Sequence, residues 1–466
     1  MNIHPHMFRE YDIRGLCGTS LPEDICQRED PDLTEEIVKR IGKAYNVYLR
    51  GKKNNCIVVG HDGRLTSRGF AHAVMDGVTS GGLDVIDIGR VPTPLMYFAL
   101  FTMDVDGGLM ITGSHNPKEY NGIKVAAGKN TIYGKEIQKL ARIVIGGRYP
   151  LARKPVTITC MDIVPRYIRR VTQGVSLKRG LKVVVDAGNG VAGAVAVPLY
   201  ERLGCEVIPL YCDVDGNFPH HHPDPTLLES LEKLIETVQE TEADCGIAFD
   251  GDGDRLGVVT DKGEVLWGDK LLILFARSVL EQKPGATIIG EVKCSRTLYE
   301  DVAKHGGRPI MWKTGHSLIK AAMKQFHAQV AGEMSGHMFF KHRWYGFDDA
   351  IYSGARLLEY LSLSSRPLSE HVASIPDTYV TEEIRIDTDE DRKFGIVEQA
   401  TAYFQEELGL EVNTIDGARV EFEDGWGLVR ASNTSPKLVM RCEATTPERL
   451  AEIRELIEGK INELNV

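Results

Sequence analysis

The stretch CGIAFDGDGDR, residues 245–255, joins a short apolar segment to a loop that carries three carboxylates. The apolar residues 245–249 are typical of a buried strand in a sheet. The loop places Asp250, Asp252 and Asp254 at every second position, where their charges repel unless a cation neutralises them. Oxygen ligands with open coordination positions suit Mg²⁺ that also contacts a phosphate. The stretch therefore predicts an α/β sheet with a metal-binding loop at the end of one strand.

A calcium site and a plain turn are the alternatives to a magnesium site in the acidic loop. A calcium-binding EF-hand loop needs glycine at its sixth position and glutamate at its twelfth. This chain has Arg255 and Asp261 at those positions, and no helix leads into the loop, so that motif is excluded. A simple turn of Asp and Gly that binds no metal remains an alternative, because both residue types are common in turns. Arg255 either contacts an anion or balances the acidic charge.

Short β-branched strands alternate with amphipathic helical segments through most of the chain, which is the pattern of α/β domains. Ligands of open α/β sheets bind beyond the carboxyl ends of strands, so the polar loops there are the candidate sites. Helices are predicted near 193–203 and 226–242. The predicted strands form three groups. The first group lies at 56–60, 83–89 and 107–112, and the second at 181–187, 205–211 and 245–250. The third group has strands at 286–292 and 328–334 and one strand directly before 312–316.

The C-terminal part of the chain has a different pattern. YVTEEIRID, ARVEF, GLVRASN and KLVMRCEA are predicted as solvated strands, with one helix near 390–408 and a second helix closing the chain. Apolar residues at 450, 453, 456, 457 and 461 form a helical stripe that we expect to pack against the sheet. These features predict an α+β domain with a partly exposed antiparallel sheet.

The bulk properties exclude several classes of protein. With 466 residues, the chain is too long for one hydrophobic core, and 42% hydrophobic and 26% charged residues are ordinary for a globular protein. No membrane-length apolar run and no signal peptide are visible, which predicts a cytoplasmic protein without a membrane partner. The nine cysteines form no C-x-x-C pair, which disfavours structural zinc and a disulfide framework. The net charge of −11 disfavours a nucleic-acid partner.

TGSHNP, residues 112–117, follows the apolar segment GGLMI and places Ser114 in a polar turn at the end of a strand. By itself the loop is explained as a simple turn, because Ser and Asn often bond their own backbone. No G-x-S-x-G elbow of an α/β-hydrolase occurs. A phosphorylated Ser114 would offer oxygens to a metal on the acidic loop, so the two loops explain each other. Lys124 follows in NGIKV and would stabilise charge or move a proton, unless it is merely exposed.

Other polar loops offer contacts to a phosphorylated ligand. RASNTS, residues 430–435, combines an arginine with hydroxyls and main-chain N–H groups between two predicted strands, which suits a phosphate clamp. A solvated turn is the alternative for this loop, and histidines in such loops are commonly structural. The further candidates are Glu333 and Ser335 in GEMSGH, which would bind sugar hydroxyls, Lys293 in KCSR and His316 in WKTGH.

Gly188, Gly190 and Gly193 form the pattern G-x-G-x-x-G after a predicted strand and before a predicted helix. Asp213 follows at the end of the next strand, as a dinucleotide site requires. An NAD-dependent sugar-phosphate dehydrogenase is therefore a competing hypothesis. It leaves the acidic loop, TGSHNP and RASNTS without roles, and we favour it less.

Five motifs in series, YDIRG, TGSHNP, DGDGDR, GEMSGH and RASNTSP, closely resemble those of the α-D-phosphohexomutase superfamily. The resemblance covers nearly the whole chain. Within the superfamily, GEMSGH together with DGNFPHHHPDP looks most like bacterial phosphomannomutase/phosphoglucomutase. Phosphoglucosamine mutases, which typically differ at the position of Met334, are the second choice. The resemblance implies an α/β fold of three related mixed α/β domains plus a C-terminal α+β domain around a central active-site cleft.

Four domains follow from the resemblance and the strand pattern together. We predict a phosphoserine-bearing α/β domain at 1–158, a metal-binding α/β domain at 159–264, a sugar-recognition α/β domain at 265–375 and a C-terminal phosphate-binding α+β domain at 376–466.

The resemblance also implies roles for matching positions. Ser114 matches the position of the family's phosphoserine. Ser114 and the three aspartates together match the residues that bind one Mg²⁺ ion in the family. Ser435 stands where relatives often have Thr, which keeps a hydroxyl. The implied catalytic residues are Ser114, Lys124, Arg14, Arg255, His316 and His337, among which the acid, base and electrostatic roles stay undivided. The implied substrate-binding residues are Tyr11, Lys293, Glu333, Ser335, Arg430, Ser432, Asn433, Thr434 and Ser435.

The activity implied by the resemblance is that of an isomerase, an intramolecular phosphotransferase. It interconverts hexose 1-phosphate and hexose 6-phosphate of mannose, glucose or both through a phosphoserine enzyme. A hexose 1,6-bisphosphate serves as intermediate and activator and reorients in the cleft. The expected partner is a small phosphosugar, and the expected state is a monomer. A non-catalytic sugar-phosphate binder is a further alternative.

Overall fold

The computed structural model describes residues 3–17, 31–51, 55–149, 155–432 and 436–465. The chain divides into two compact units, one of Met1–Leu271 with Ser335–Glu370 and one of Leu272–Met334 with His371–Val466. Within the described residues, none of the helices combines the length and the apolar character needed to cross a membrane.

The first sheet of the first unit has the order β1-β5-β4-β2-β3-β7, with β6 paired to β5. β2 is parallel to β3 and β4, β3 is parallel to β7, and β5 is antiparallel to β1 and β4. The strands are β1 Ile13–Leu16, β2 Cys56–His61, β3 Asp84–Arg90, β4 Gly107–Ile111, β5 Tyr120–Ala127, β6 Asn130–Thr131 and β7 Ile158–Cys160, and the helices are α1 Glu35–Tyr48, α2 Ser67–Ser80, α3 Thr93–Thr102, α4 Lys135–Gly146 and α5 Val164–Thr172.

The second sheet of the first unit has the order β12-β11-β10-β8-β9. β8 is parallel to β9 and β10, and β11 is antiparallel to β10 and β12. The strands are β8 Lys182–Asp186, β9 Glu206–Leu210, β10 Cys245–Phe249, β11 Leu256–Thr260 and β12 Val265–Leu266, with helices α6 Gly193–Leu203 and α7 Glu232–Thr241.

The second unit contains a parallel group of strands in the order β14-β13-β15. Its elements are α8 Gly268–Gln282, β13 Thr287–Glu291, α9 Arg296–Lys304, β14 Arg308–Trp312, α10 His316–Gln325 and β15 Val330–Gly332. The segment that follows belongs mainly to the first unit and contains β16 Met338–Phe340, α11 Ala350–Ser362 and α12 Leu368–Val372.

The C-terminal sheet of the second unit is antiparallel, in the order β17-β22-β21-β20-β19 with β18 also paired to β22. A π-helical turn, Tyr403–Glu407, follows the first of its two helices. The elements are β17 Tyr379–Val380, β18 Ile384–Asp387, α13 Lys393–Ala402, β19 Glu411–Asn413, β20 Ala418–Phe422, β21 Gly425–Ala431, β22 Lys437–Ala444 and α14 Pro447–Leu464.

The three parallel groups share one topology, in which the third strand along the chain returns to pair with the first. This gives β4-β2-β3, β10-β8-β9 and β15-β13-β14. A polar loop follows the third strand each time, TGSHNP after β4, DGDGDR after β10 and GEMSGH after β15. The prediction of three related α/β units and a separate C-terminal α+β sheet is confirmed.

The helix predicted near 226–242 begins only at Glu232, after a 3₁₀ turn at Leu228–Ser230. Asp224 Oδ1 accepts hydrogen bonds from the main-chain N–H and the hydroxyl of Thr226, at 3.1 and 2.7 Å. Such local side-chain bonds compete with helical hydrogen bonds, which explains the later start.

The prediction that the C-terminal strands are solvated was wrong for the two central ones, since all of β21 and all but the first residue of β22 are buried. Several residues of β21 and β22 form a hydrophobic core with α13 and α14. Helix α14 contributes Ile453, Ile457 and Ile461 to this core. Trp426 instead packs with Val292, and the Arg419 guanidinium lies 3.8 Å from the centre of the Trp426 ring. A buried arginine looks polar in the sequence, which is why a solvated face was expected.

Candidate active site

Ser114 lies in the loop between β4 and β5 and is 2% exposed. Its φ of +50° falls in the left-handed region, which non-glycine residues adopt rarely and mostly where other contacts hold them. Its hydroxyl donates to Asp250 Oδ2 at 2.7 Å and lies 3.1 Å from Nδ1 of His115. The predicted serine is therefore held directly against the predicted metal loop.

Arg64 holds the main chain of the Ser114 loop. Its guanidinium donates to the carbonyl oxygens of Ser114 at 2.7 Å, Pro117 at 2.6 Å and Tyr120 at 2.9 Å, and also to that of Asn116. A Cβ on Gly113 would lie 2.5 Å from Arg64 Nε, so only glycine fits beside this side chain. The strained backbone of Ser114 is thus fixed by a buried cation that bonds to carbonyls on both sides of it.

Asp250, Asp252 and Asp254 are fully buried in the loop between β10 and β11. Asp250 Oδ1 accepts the main-chain N–H groups of Asp254 and Arg255 at 3.0 and 3.1 Å, which shapes the loop. Asp252 Oδ2 accepts the Thr93 hydroxyl at 2.6 Å. The first residue of α3 thereby orients one carboxylate.

Lys124 on β5 forms ion pairs with Asp252 Oδ2, at 3.0 Å, and with Asp254 Oδ2. Burial alone would lower the pKa of Lys124, but the two carboxylates raise it well above its ordinary value, so the ammonium stays charged. Burial and the charges of Asp252 and Asp254 raise the pKa of Asp250 well above its ordinary value. Lys124 therefore offsets the charge of Asp252 and Asp254, while the pKa of Asp250 stays raised.

A divalent cation fits the remaining ligand atoms. One carboxylate oxygen from each of the three aspartates lies within 4.8 Å of the others. Asp252 Oδ1 and Asp254 Oδ1 are buried and accept no hydrogen bond from any described residue. Buried carboxylate oxygens are normally paired or coordinate a metal, so the donor set suits a hard cation such as Mg²⁺ or Ca²⁺.

A group of cationic and imidazole side chains adjoins the acidic loop. Arg255 Nε donates to His337 Nε2 at 3.3 Å, and its Nη2 lies 3.4 Å from His115 Nε2. His337 Nδ1 lies 3.5 Å from Asp254 Oδ1 and 3.6 Å from Asp348 Oδ2. Burial, and then the charge of Arg255, lower the pKa of both histidines well below the ordinary value, so both are neutral near pH 7.

Arg14 on β1 joins the same region, since its Nη1 donates to Asn116 Oδ1 of the Ser114 loop at 2.8 Å and its Nε to Asp12 at 2.8 Å. The first unit thus brings together Ser114, the three aspartates, Lys124, Arg14, Arg255 and His337. Tyr11 and Ser335, also predicted, are both partly exposed residues of this unit.

The glycine pattern at 188–193 has a packing explanation. A Cβ on Gly190 would lie 2.8 Å from the carbonyl oxygen of Gly251 in the acidic loop, and one on Gly193 would lie 2.8 Å from Cys212 Cα. In a dinucleotide site, the second glycine leaves room for the pyrophosphate. Here the acidic loop occupies that space, which argues against the dehydrogenase hypothesis.

In the second unit, Glu291 at the end of β13 connects three of the predicted loops. Its carboxylate accepts the main-chain N–H of Met334 at 2.9 Å and the hydroxyl of Thr314, and it lies 3.7 Å from Lys293 Nζ. Glu333 Oε1 accepts the main-chain N–H of Gly315 at 2.7 Å, directly before His316. The loops that carry Lys293, His316 and Glu333 are therefore joined by the buried carboxylates of Glu291 and Glu333.

The clamp predicted at 430–435 is described in part. Arg430 Nε donates to Asp416 Oδ2 at 3.0 Å, and the same oxygen accepts the main-chain N–H of Thr314. Ser432 is buried, and its N–H donates to the Lys437 carbonyl at 2.9 Å. Asn433, Thr434 and Ser435 lie outside the described residues, so their predicted roles stay predictions.

Buried Lys293 and partly exposed Glu383 form an ion pair whose effect on stability depends on pH. Their side chains meet at 3.0 Å, and the charge of Lys293 lowers the pKa of Glu383 to about 2. A glutamate in the unfolded chain has a pKa near 4.5. The pair therefore stabilises the folded protein fully above that pH, and this stabilisation is lost as the pH falls toward 2.

Replacing Glu383 by glutamine should lower the thermal midpoint at pH 7, and the deficit should shrink between pH 4.5 and 2. A contribution on the order of 2 kcal/mol is expected for a shift of this size. Scanning calorimetry across pH measures it, and Glu382→Gln, at a neighbouring position, is the control. A deficit independent of pH would contradict this role of the pair.

The sequence reasoning missed several side chains that build the site. Arg64, Thr93, Glu291 and Asp416 act on partners far along the chain, and neither their residue types nor their spacing marked them. His115 carried a signal, because it follows Ser114 within the TGSHNP motif.

The four domains match known family models in order along the chain. The phosphoglucomutase/phosphomannomutase alpha/beta/alpha domains I, II and III match residues 5–147, 165–263 and 267–379, and the C-terminal domain of the same family matches residues 383–460.

Similar proteins cover almost the full chain. A phosphomannomutase/phosphoglucomutase of Pseudomonas aeruginosa is 47% identical over 456 residues, 98% of this chain and 95% of that protein. A phosphoglucomutase of Neisseria gonorrhoeae is 45% identical over 456 residues, 98% of this chain and 96% of that protein. The crystal structure of a phosphoglucomutase/phosphomannomutase family protein from Burkholderia thailandensis is 42% identical, with a TM-score of 0.91 over 99% of this chain and 98% of the other.

The superfamily resemblance predicted from five motifs is confirmed, and so is the isomerase class. With all four domain models in order and relatives above 40% identity at nearly full coverage, the chain belongs to the phosphoglucomutase/phosphomannomutase family.

Proposed function

We propose that this chain is a phosphohexomutase that interconverts the 1-phosphates and 6-phosphates of glucose, mannose or both. The observation that carries this function is the Ser114 hydroxyl, held in a left-handed backbone 2.7 Å from a cluster of three buried carboxylates. A turn without function would not need a strained serine, a buried lysine and unpaired carboxylate oxygens at one point. The names of the relatives support the choice of hexose phosphates.

Ser114 carries a phosphoryl group between two half-reactions. In the first, a free hydroxyl of hexose 1-phosphate attacks phosphorus, the bond from phosphorus to Ser114 Oγ breaks, and the sugar hydroxyl gives up its proton. Hexose 1,6-bisphosphate and a free Ser114 hydroxyl result. Contacts with Asp250 and His115 hold that hydroxyl in place. After the bisphosphate turns around, Ser114 Oγ loses its proton and attacks the phosphorus at C1. The bond between that phosphorus and the C1 oxygen breaks, the oxygen takes up a proton, and hexose 6-phosphate leaves.

Asp250, Asp252, Asp254 and an oxygen of phosphorylated Ser114 would hold one Mg²⁺, which supplies positive charge beside the transferring group when bound. Lys124 stays charged against two of these carboxylates and keeps them in position. Arg14 and Arg255 add positive charge beside the Ser114 loop. Neutral His115 and His337 are available to exchange protons.

Further predicted residues bind the parts of the substrate that do not react. Glu333, with Ser335, contacts sugar hydroxyls, and Lys293 and Arg430, with Ser432 and the loop that follows, hold the phosphate that is not transferred. The domain limits at 158, 264 and 375, the monomeric state and the cytoplasmic location remain predictions.

Turnover assays with glucose, mannose and glucosamine 1-phosphates test this function. Metal-stripped protein with a catalytic amount of hexose bisphosphate should form 6-phosphates only after Mg²⁺ is added, and without NAD. A preference for the glucosamine compound would favour a phosphoglucosamine mutase. NAD reduction, or tight binding of all three sugars without product, would overturn the mutase.

The contact between Thr93 and Asp252 gives a test of the metal site. Thr93→Val removes the hydroxyl that donates to Asp252 Oδ2 at 2.6 Å but keeps the shape of the side chain. Loss of such an orienting bond typically costs 10- to 100-fold in metal affinity. We expect the Mg²⁺ concentration for half-maximal activity to rise about tenfold or more.

Thr102→Val is the matched control, because Thr102 lies on the same helix and its hydroxyl bonds only to the Phe98 carbonyl among the described residues. An unchanged Mg²⁺ dependence in Thr93→Val would show that Thr93 does not orient a metal ligand.

A further inference from the structure

The N-terminal segment contains a second group of metal-ligating side chains, separate in composition from the three aspartates. A ring nitrogen of His4, a ring nitrogen of His6 and a carboxylate oxygen of Asp32 all lie within 4.8 Å of one another. His6 Nε2 and Asp32 Oδ1 are 2.7 Å apart. The chemistry proposed above makes no use of these residues.

Asp32 is held by the main chain of β1. Its Oδ2 accepts the main-chain N–H of Leu16 at 3.0 Å, and the neighbouring Leu33 N–H donates to the Leu16 carbonyl at 2.9 Å. A Cβ on Gly15 would lie 2.3 Å from Asp32 Cβ, so glycine lets the carboxylate pack against β1. One carboxylate oxygen is thus fixed by the main chain, and the other is presented to His6. Metal-binding carboxylates are typically oriented in this way.

The two histidines are also prearranged. They flank Pro5, the first residue of a 3₁₀ turn, Pro5–Met7, and proline fixes one backbone angle between them. Their ring centres are 5.4 Å apart with planes at 46°. The buried Met7 and Phe8 belong to the hydrophobic core and anchor the turn. Little ordering of the chain is therefore needed to bring both imidazoles to one ion.

We propose that His4, His6 and Asp32 bind one divalent transition-metal ion of the Zn²⁺ type, with solvent completing its coordination. Two imidazole nitrogens and one carboxylate oxygen suit Zn²⁺ and its neighbours, whereas Mg²⁺ prefers oxygen ligands. The ion replaces the direct contact between His6 and Asp32. It links the first turn of the chain to the residue that braces β1, the strand that carries Arg14.

A bound ion should therefore stabilise the folded protein, because an unfolded chain does not hold the three ligands together. His6 is about half exposed, with 53% of its side chain accessible, so an ion can reach the site from solvent. A hydrogen bond between His6 and Asp32 that takes no metal is the competing interpretation of the same geometry.

Equilibrium dialysis against ZnCl₂ tests the site, with the full chain kept in excess Mg²⁺ so that the acidic loop is occupied. Wild type should retain about one more Zn²⁺ ion than His4→Ala/His6→Ala. The affinity of that variant for this ion should be at least about tenfold lower. The control is His72→Ala/His305→Ala, which removes two exposed histidines elsewhere. Asp32→Asn tests the carboxylate separately, because an amide oxygen can still accept the Leu16 N–H.

Zn²⁺ should also raise the thermal midpoint of wild type and of the control, but not that of the His4/His6 variant. Normal midpoints without Zn²⁺ establish that the variants fold. Equal Zn²⁺ retention by wild type and the His4/His6 variant overturns the proposal, as does a full-affinity site in Asp32→Asn.

Discussion

Ser114→Ala is expected to abolish both the phosphorylation of the protein and its mutase activity. The hydroxyl is the only group at this position that can carry the phosphoryl group, and loss of a covalent nucleophile removes several orders of magnitude in rate. We expect turnover to fall at least about a thousandfold. Intact-mass measurement after incubation with glucose 1,6-bisphosphate should show one added phosphoryl group on wild type and none on the variant.

Alanine keeps the strain of the positive φ at this position, so the variant should fold like wild type. Ser80→Ala is the matched control, because the Ser80 hydroxyl bonds to a carbonyl within α2. It should be phosphorylated and active. A Ser114→Ala protein that still gains the phosphoryl group, or that turns over at the wild-type rate, would contradict the role of Ser114 as carrier.

The predicted site was found because its loops follow strands and carry unusual residue types. Asp250, Asp252 and Asp254 repel one another in any conformation of so short a loop, so a cation could be inferred without a structure. The pairing of Ser114 with Asp250 could be inferred only by assuming that both loops lie at equivalent strand ends. The shared order of the parallel groups, with the third strand beside the first, is what makes that assumption correct.

Residues that act on distant parts of the chain could not be predicted in the same way. Thr93 bonds to Asp252 across 159 positions of sequence, and Arg64 reaches the Ser114 loop across about fifty. Their partners depend on tertiary packing, and their residue types are common on surfaces. The strand that carries Arg419 was expected to be solvated for the same reason. A buried arginine that donates to carbonyls leaves no pattern in the sequence.

Arg64→Ala should destabilise the first unit and disable the site together. The substitution leaves carbonyl oxygens of the Ser114 loop without their donor and leaves buried Asp62 without the guanidinium 3.4 Å away. Removing one partner of a buried ion pair typically costs about 3–5 kcal/mol. The positive φ of Ser114 would also lose its main restraint. We expect a thermal midpoint lower by several degrees, and phosphorylation of Ser114 slowed in the fraction that stays folded.

Arg64→Lys separates the two effects, because an ammonium keeps the charge near Asp62 but cannot reach several carbonyls in the planar geometry of a guanidinium. Its stability should recover in part while its rate of phosphorylation stays low. Arg68→Ala, at an exposed position on α2, is the matched control and should behave like wild type. If Arg64→Lys is phosphorylated at the full wild-type rate, a positive charge at this position is enough to hold the Ser114 loop. The hydrogen bonds to the carbonyls would then have no role in placing Ser114.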